Sequence, residues 1–246
     1  MGFIKPEDLE RYCNTNAALL KGPLNGVVVE FPGLGGNSCL GGVMDFAVYD
    51  NTYTRRFAEK GILSVYTFPG PWSWGNAASV RIADMILDAV FEKYGVTDVP
   101  VVACGGSMGG LGALIFCADS KHSISACDSA CPCYDVPGCF EKRGDFSRTI
   151  LSAVAGYGET IEEALKRISP AHRIADMPDI PYRIVCDGAD EIFDADGMKR
   201  YAEELDAKTG GKVTFVYLDG LCHGGFSAEE REAFHVFIEE NCAIER

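Results

Sequence analysis

The chain has 246 residues, 47% of them hydrophobic and 24% charged, enough for one α/β domain with a sizeable core. Its 22 Lys and Arg against 36 Asp and Glu leave a net charge of −14 with no basic cluster, which argues against nucleic acid and anionic membrane surfaces as partners. The first ten residues turn charged before an apolar stretch can form, Pro6 stands where a myristoylation signal needs Ser or Thr, and no apolar run approaches the ~18 residues of a membrane span. The expectation is a single soluble, cytoplasmic domain over residues 1–246.

In chain order, Gly26 to Phe31 is a short apolar run ending in Pro32-Gly33-Leu34-Gly35-Gly36-Asn37. Ile62 to Phe68 is a second, closed by Pro69-Gly70-Pro71. Asn76 then caps a helix whose Ile82, Met85, Ile86, Ala89 and Val90 share one face, with Gly95 as its stop. Pro100 to Cys104 is a third strand, entering Gly105-Gly106-Ser107-Met108-Gly109-Gly110 and a helix of small residues from Leu111 to about Ala118. Further strands are expected near Ser123 to Asp128, at Tyr182 to Cys186 and at Val213 to Leu218. Between the last two lies a helix with Met198, Tyr201, Ala202 and Leu205 on one face. Ser227-Ala-Glu-Glu230 opens the final helix as a capping box. Apolar strands alternating with amphipathic helices predict a mostly parallel sheet covered on both faces. Residues 130–170, rich in Cys, Pro and Gly and then helical, read as a small cap inserted over the carboxyl ends of the strands, where open α/β sheets keep their sites.

The 11 cysteines do not form the pattern of a small disulfide scaffold. Cys104 and Cys186 lie inside strands and read as small buried hydrophobes. Cys127, Cys131, Cys133 and Cys139 cluster, but their spacings lack the paired knuckles of zinc modules. The expectation is free thiols and no metal.

The chemistry starts at Gly105-x-Ser107-x-Gly109. Alone the motif is weak. Here the serine follows an apolar strand and precedes a small-residue helix, the strand-turn-helix setting of a nucleophile elbow. A serine nucleophile needs a base. Of four histidines, His223 alone sits in a Gly-flanked loop, Asp219-Gly-Leu-Cys-His-Gly-Gly-Phe, between the last strand and the last helix. His235 lies inside that helix, His122 in a surface turn, and His172 in Ser-Pro-Ala-His-Arg is the rival candidate. The base needs a carboxylate to hold its tautomer. The loop after Tyr182 to Cys186 offers Asp187, Asp190, Glu191 and Asp194. Asp190 is favoured, with Asp187 read as too near the strand end and Asp194 as a helix cap.

These residues resemble the α/β-hydrolase superfamily over about residues 20–246. The segment Ile168-Ser-Pro-Ala-His-Arg-Ile-Ala-Asp-Met-Pro-Asp-Ile-Pro, the strand and acid after it, and the distant Cys-His-Gly-Gly look like the catalytic domains of prolyl-oligopeptidase-like enzymes and their small carboxylesterase relatives. The resemblance implies a twisted sheet of about eight strands with helices on both faces, a Ser107–His223–Asp190 triad in the chain order of that superfamily, and no metal or organic cofactor. It also puts an anion hole in the Pro32-Gly33-Leu34-Gly35-Gly36 loop, with the backbone amides of Leu34 and Met108 as donors. Two departures stand out. Asp187-Gly188 replaces the usual His-Gly before the acid, and Pro32 replaces the usual His of the anion-hole loop. The chain also carries no propeller-sized N-terminal region, so a full oligopeptidase is not expected.

The implied reaction is hydrolysis of a small-molecule ester through an acyl-enzyme, with a peptidase or amidase, and a non-catalytic binding protein, as alternatives. Trp72 and Trp74 in Gly-Pro-Trp-Ser-Trp-Gly are candidate pocket walls.

Overall fold

The computed structural model describes residues 3–34, 49–142 and 144–242. A seven-stranded sheet forms its centre: β1 (Cys13–Thr15), β2 (Gly26–Phe31), β3 (Ile62–Thr67), β4 (Val101–Gly106), β5 (Ala126–Ala130), β6 (Tyr182–Asp187) and β7 (Val213–Leu218). Their spatial order is β1-β3-β2-β4-β5-β6-β7. All neighbours pair in parallel except β1, which runs antiparallel to β3 with Cys13 opposite Thr67. The described residues thus hold seven strands where about eight were expected. β1 was not anticipated, because three residues are too few to show a period.

Eight α-helices are described: α1 (Thr52–Glu59), α2 (Ala77–Tyr94), α3 (Met108–Asp119), α4 (Val136–Lys142), α5 (Gly144–Val154), α6 (Ile161–Arg167), α7 (Ala195–Thr209) and α8 (Ala228–Cys242). Side chains of successive strand residues alternate between the faces of the sheet. Val27, Val29 and Phe31 of β2, with Val101 and Ala103 of β4, enter a large core shared with α2, α3 and α7. Val28, Val102, Cys104 and Ala126 point the other way, onto Phe57 of α1 and Ile238 and Cys242 of α8. Glu239 of α8 accepts from Lys60 at 2.7 Å and from Arg56 at 3.0 Å, tying α8 to α1 and its C-terminal cap. α1 is another element that sequence periodicity did not reveal. The expected starts of α2 and α8 are present: Asn76 accepts from Ser79 N–H at 3.0 Å, and Ser227 accepts from Glu230 N–H at 3.1 Å.

The strand order creates the crevice that matters. After β2 the chain moves to β3 on one side; after β4 it moves to β5 on the other. The loops leaving β2 and β4 therefore part above two adjacent strands, the topological switch point where open α/β sheets bind ligands. Residues 130–170 carry α4, α5 and α6.

On the α8 side of the sheet, a cavity of about 200 Å³ is lined by Glu30, Cys104, Asp128, Arg183, Phe226 and Phe234. Glu30 Oε2 accepts from Tyr49 and Tyr53 hydroxyls at 2.8 and 3.0 Å. Burial pushes its carboxyl up to about 7 although the Tyr49 hydrogen bond opposes the shift. Folded Glu30 thus holds its proton more tightly than a carboxyl at 4.5 in the open chain. Its contribution to stability is present below that value and is lost as pH rises through about 7. Glu30→Gln should remove this loss: the melting temperature of the unaltered protein, relative to Glu30→Gln, falls between pH 4.5 and 7.5. A constant difference between the two across that range contradicts the assignment.

Candidate active site

Ser107 joins β4 to α3 with φ 58° and ψ −124°. A side-chain-bearing residue in such a region costs about 1–3 kcal/mol and persists only where its surroundings over-determine it. They do so here. Ser107 N–H donates to the Ala130 carbonyl at the end of β5 (2.8 Å), and its own carbonyl accepts from Leu111 N–H (3.1 Å). The helix then passes so close to β2 that a Cβ on Gly109 would lie 2.0 Å from the Phe31 carbonyl oxygen, and one on Gly105 would lie 2.5 Å from Gly109 backbone. Residues Met108 to Cys117 are all buried, which is why the helix is built of small and apolar residues. Ser107 Oγ makes no hydrogen bond to a described residue.

The imidazole and its carboxylate are brought together across the next two strand ends. His223, in the loop after β7, and Asp190, in the loop after β6, meet through Nδ1 and Oδ2 at 2.8 Å. An ionised carboxylate only accepts, so the proton is on Nδ1 and Nε2 is left as the basic nitrogen. Asp190 Oδ1 accepts from the backbone N–H of Ile192 (2.7 Å) and Phe193 (3.2 Å). Burial alone would push this carboxyl up, but the hydrogen bonds from His223, Ile192 and Phe193 together hold it below its ordinary value. The Phe193 ring lies edge-on to the imidazole, centroids 5.4 Å apart, and fixes its other side.

The two other candidate acids do different work. Asp194 stands at the N-cap position of α7, but its side chain makes no capping bond and pairs instead with Arg200 at 3.7 Å. Asp187 is fully buried. Its Oδ2 accepts from Gly224 N–H (2.6 Å), Gly225 N–H (3.2 Å) and the Cys131 thiol (3.1 Å). The expected strand-end role is therefore too small: Asp187 holds the backbone directly after His223. Neither this function nor that of Cys131 was expected from the sequence. Asp187-Gly188 in place of His-Gly was the signal that could have pointed to it.

The remaining histidines are elsewhere. His172 Nδ1 meets Ser169 Oγ at 3.0 Å, His122 pairs with Asp88 at 3.1 Å, and His235 stacks against Tyr53. Met108 is the first residue of α3, where a backbone N–H has no intrahelical acceptor. Leu34 lies just past β2; a Cβ on the adjacent Gly33 would stand 3.9 Å from Ser107 Cβ, so this loop runs beside the serine. Gly35, Gly36 and Asn37 lie outside the described residues.

The structure corrects the expectation for one of the two tryptophans. Trp74 is a core residue, 1% exposed; its indole N–H donates to Thr149 Oγ1 of α5 at 3.1 Å and its ring packs on Phe146. It fastens α5 to the loop after β3. Trp72 is 46% exposed. A cavity of about 240 Å³ lies instead between α4 and residues 191–194, lined by Tyr134, Cys139, Lys142, Ile192 and Phe193 among others. The four clustered cysteines do not gather around one point. Cys127 neighbours Cys117, Cys133 neighbours Cys139, and Cys131 faces Asp187.

No family model matches the chain, and no curated protein is similar to it in sequence. Solved structures are similar in fold. Esterase B from Lactobacillus rhamnosis superposes with a TM-score of 0.63 at 11% identity, over 90% of this chain and 78% of that one. A thermophilic esterase from the Planctomycetes species Thermogutta terrifontis gives 0.61 at 17% identity, over 96% and 90%. A puromycin-hydrolyzing peptidase of Mycobacterium tuberculosis gives 0.68 at 21% identity over 92% of this chain, which spans only 35% of that protein. The chain has the α/β-hydrolase fold, as the resemblance implied.

Gly109→Ala tests the geometry beneath Ser107. Alanine is favoured over glycine in a helix by about 1 kcal/mol. Overpacking commonly costs about 1–3 kcal/mol, and a contact with main chain cannot relax by a rotamer change. The clash should win, and the melting temperature should fall by several degrees. A rise in melting temperature contradicts the close approach.

Proposed function

We propose that the protein is a serine hydrolase that cleaves a carboxylic ester of a small molecule through an acyl-enzyme intermediate. The observation that carries this reading is the Asp190–His223 pair, held at the same end of the sheet as a backbone-strained Ser107. A hydrogen-bonded carboxylate on Nδ1 leaves Nε2 free to take a proton, which is what a serine nucleophile needs. The serine–imidazole bond is commonly long or absent without substrate, so its absence here fits a resting site.

In this mechanism Ser107 Oγ attacks the ester carbonyl as its proton passes to His223 Nε2. Negative charge develops on the carbonyl oxygen, beside the N-terminal end of α3, where the Met108 amide and the amide of Leu34 are the proposed donors. His223 then protonates the leaving alcohol. Water, deprotonated by the same imidazole, attacks the acyl-enzyme and releases the acid and Ser107. Asp190, ionised and enclosed, stabilises the imidazolium formed in each half-reaction. Asp187 keeps the His223 loop at the right height through Gly224 and Gly225. The 240 Å³ cavity beside Phe193 is the proposed site for one half of the substrate, and its size favours short groups.

A second reading, an amidase or peptidase, is favoured by the fold similarity to the puromycin-hydrolyzing peptidase. Parallel assays on p-nitrophenyl esters and peptide anilides separate the two.

Ser107→Ala should lower ester turnover by about 10⁴–10⁶ with the fold retained. Asp190→Asn should lower kcat by about 10³–10⁴, because the amide favours the wrong imidazole tautomer. Asp187→Asn, which keeps an acceptor for the two glycine amides, should cost far less. Unchanged turnover in Ser107→Ala, or full activity in Asp190→Asn with loss in Asp187→Asn, contradicts these roles. Circular dichroism on each variant separates lost chemistry from lost structure.

A further inference from the structure

Beside the candidate triad is a second grouping of reactive side chains. Cys131 Sγ, a nitrogen of His223 and an oxygen of Asp190 lie within 4.8 Å of one another. It is the one such grouping of His, Cys, Asp and Glu among the described residues that could hold a metal ion. Cys131 follows β5 directly, at φ +46°, a conformation unusual for a residue with a side chain. The strand end, the Cys131 N–H bond to the Val185 carbonyl (2.8 Å) and the contact with Asp187 hold the thiol in place.

The electrostatics favour a cation here. Asp187 and Asp190 are both enclosed carboxylates, and no lysine or arginine pairs with either among the described residues. Asp187 Oδ1 is buried and makes no hydrogen bond to a described residue. Buried anionic groups are normally paired or coordinate metals, and an orphaned buried acceptor is costly. Among the described residues, backbone amides, the Cys131 thiol and one imidazole are the donors to these carboxylates.

We propose that Cys131, His223 and Asp190 form a site for a soft divalent cation of the zinc class, and that its occupancy switches the hydrolase off. A sulfur, nitrogen and oxygen donor set is that of zinc and selects against magnesium and calcium, which take all-oxygen shells. Zinc bonds of about 2.0–2.3 Å in a tetrahedron put ligand atoms some 3.3–3.7 Å apart, so no pair needs to draw in by more than about 1.5 Å, and His223 Nδ1 and Asp190 Oδ2, now 2.8 Å apart, open slightly if both bind. Asp187, 3.1 Å from the sulfur, supplies the outer carboxylate that such sites use to orient a ligand. On binding, a metal–sulfur bond forms, the S–H bond of Cys131 breaks and its proton leaves to solvent; where the ion takes His223 Nδ1, the proton there moves to Nε2 and the hydrogen bond to Asp190 is exchanged for the two metal bonds. With His223 and Asp190 engaged by the ion, the imidazole no longer serves as base. That inhibition rests on the serine-hydrolase reading; the binding itself does not.

The test uses chelator-treated protein with ZnCl₂ and CoCl₂ as probes. Calorimetry should give one zinc per chain, and cobalt should give a thiolate charge-transfer band in the near ultraviolet. Cys131→Ser should abolish the band and weaken zinc binding by at least about tenfold. Asp190→Asn should also weaken binding, which covers the case in which Cys131→Ser does not fold. Ser107→Ala should bind both ions normally, and so should Cys222→Ser, which removes the exposed neighbouring thiol. Zinc should inhibit ester turnover of the unaltered protein far more strongly than that of Cys131→Ser, each referred to its own zinc-free rate. Zinc binding unchanged in both Cys131→Ser and Asp190→Asn, or a band lost in Cys222→Ser, overturns the site. Absence of turnover with the cobalt band intact would defeat the hydrolase reading and leave the metal site standing.

Discussion

Everything at this site depends on how closely α3 passes over β2. With Gly109 against the Phe31 carbonyl, the helix begins before the chain leaving β4 has room to relax. Ser107 takes a conformation that a free chain would rarely hold. The strain is local and of the order of 1–3 kcal/mol, whereas the buried helix behind it is anchored by a continuous apolar face. Burial of the helix outweighs the strain, and the hydroxyl is displayed at a helix N-terminus instead of being folded into a regular turn.

From that point the parallel sheet does the assembly. β4, β5, β6 and β7 run side by side, so the residues that follow each strand are neighbours in space although they are far apart in sequence. Ser107 follows β4, Cys131 follows β5, Asp187 ends β6 with Asp190 just beyond, and His223 follows β7. The ladder of strands sets their lateral order, and hydrogen bonds set their height. Asp187 is central to the latter: one oxygen grips the His223 loop and the Cys131 thiol together. The same proximity that supports acyl transfer also places a sulfur among two carboxylates and an imidazole, which is why catalysis and metal inhibition are proposed for overlapping atoms.

What the sequence made legible follows from the range of the interactions involved. Strand and helix periods are local, and the glycine spacing around Ser107 together with the strand before it and helix after it marks the elbow. His223 stands out because its loop is glycine-flanked. The acid was harder: four carboxylates lie within eight residues, and only the bond to His223 distinguishes Asp190. Asp187 and Cys131 were missed because their contact joins residues 56 apart in the chain. Trp74 was misread for a related reason. Aromatic residues in a loop look alike whether they wall a pocket or, like Trp74 on Thr149, hold a helix 75 residues further on. α1, with few apolar positions, announces itself only through the core it meets at Phe57.

The central claim is that Ser107 is the nucleophile, displayed by strain and activated by His223. A fluorophosphonate probe followed by peptide mass spectrometry tests it directly. Stoichiometric, covalent labelling of Ser107 is expected, abolished by prior heat denaturation. Failure of the folded protein to label, or labelling at Ser129, Cys131 or any residue other than Ser107, would contradict it.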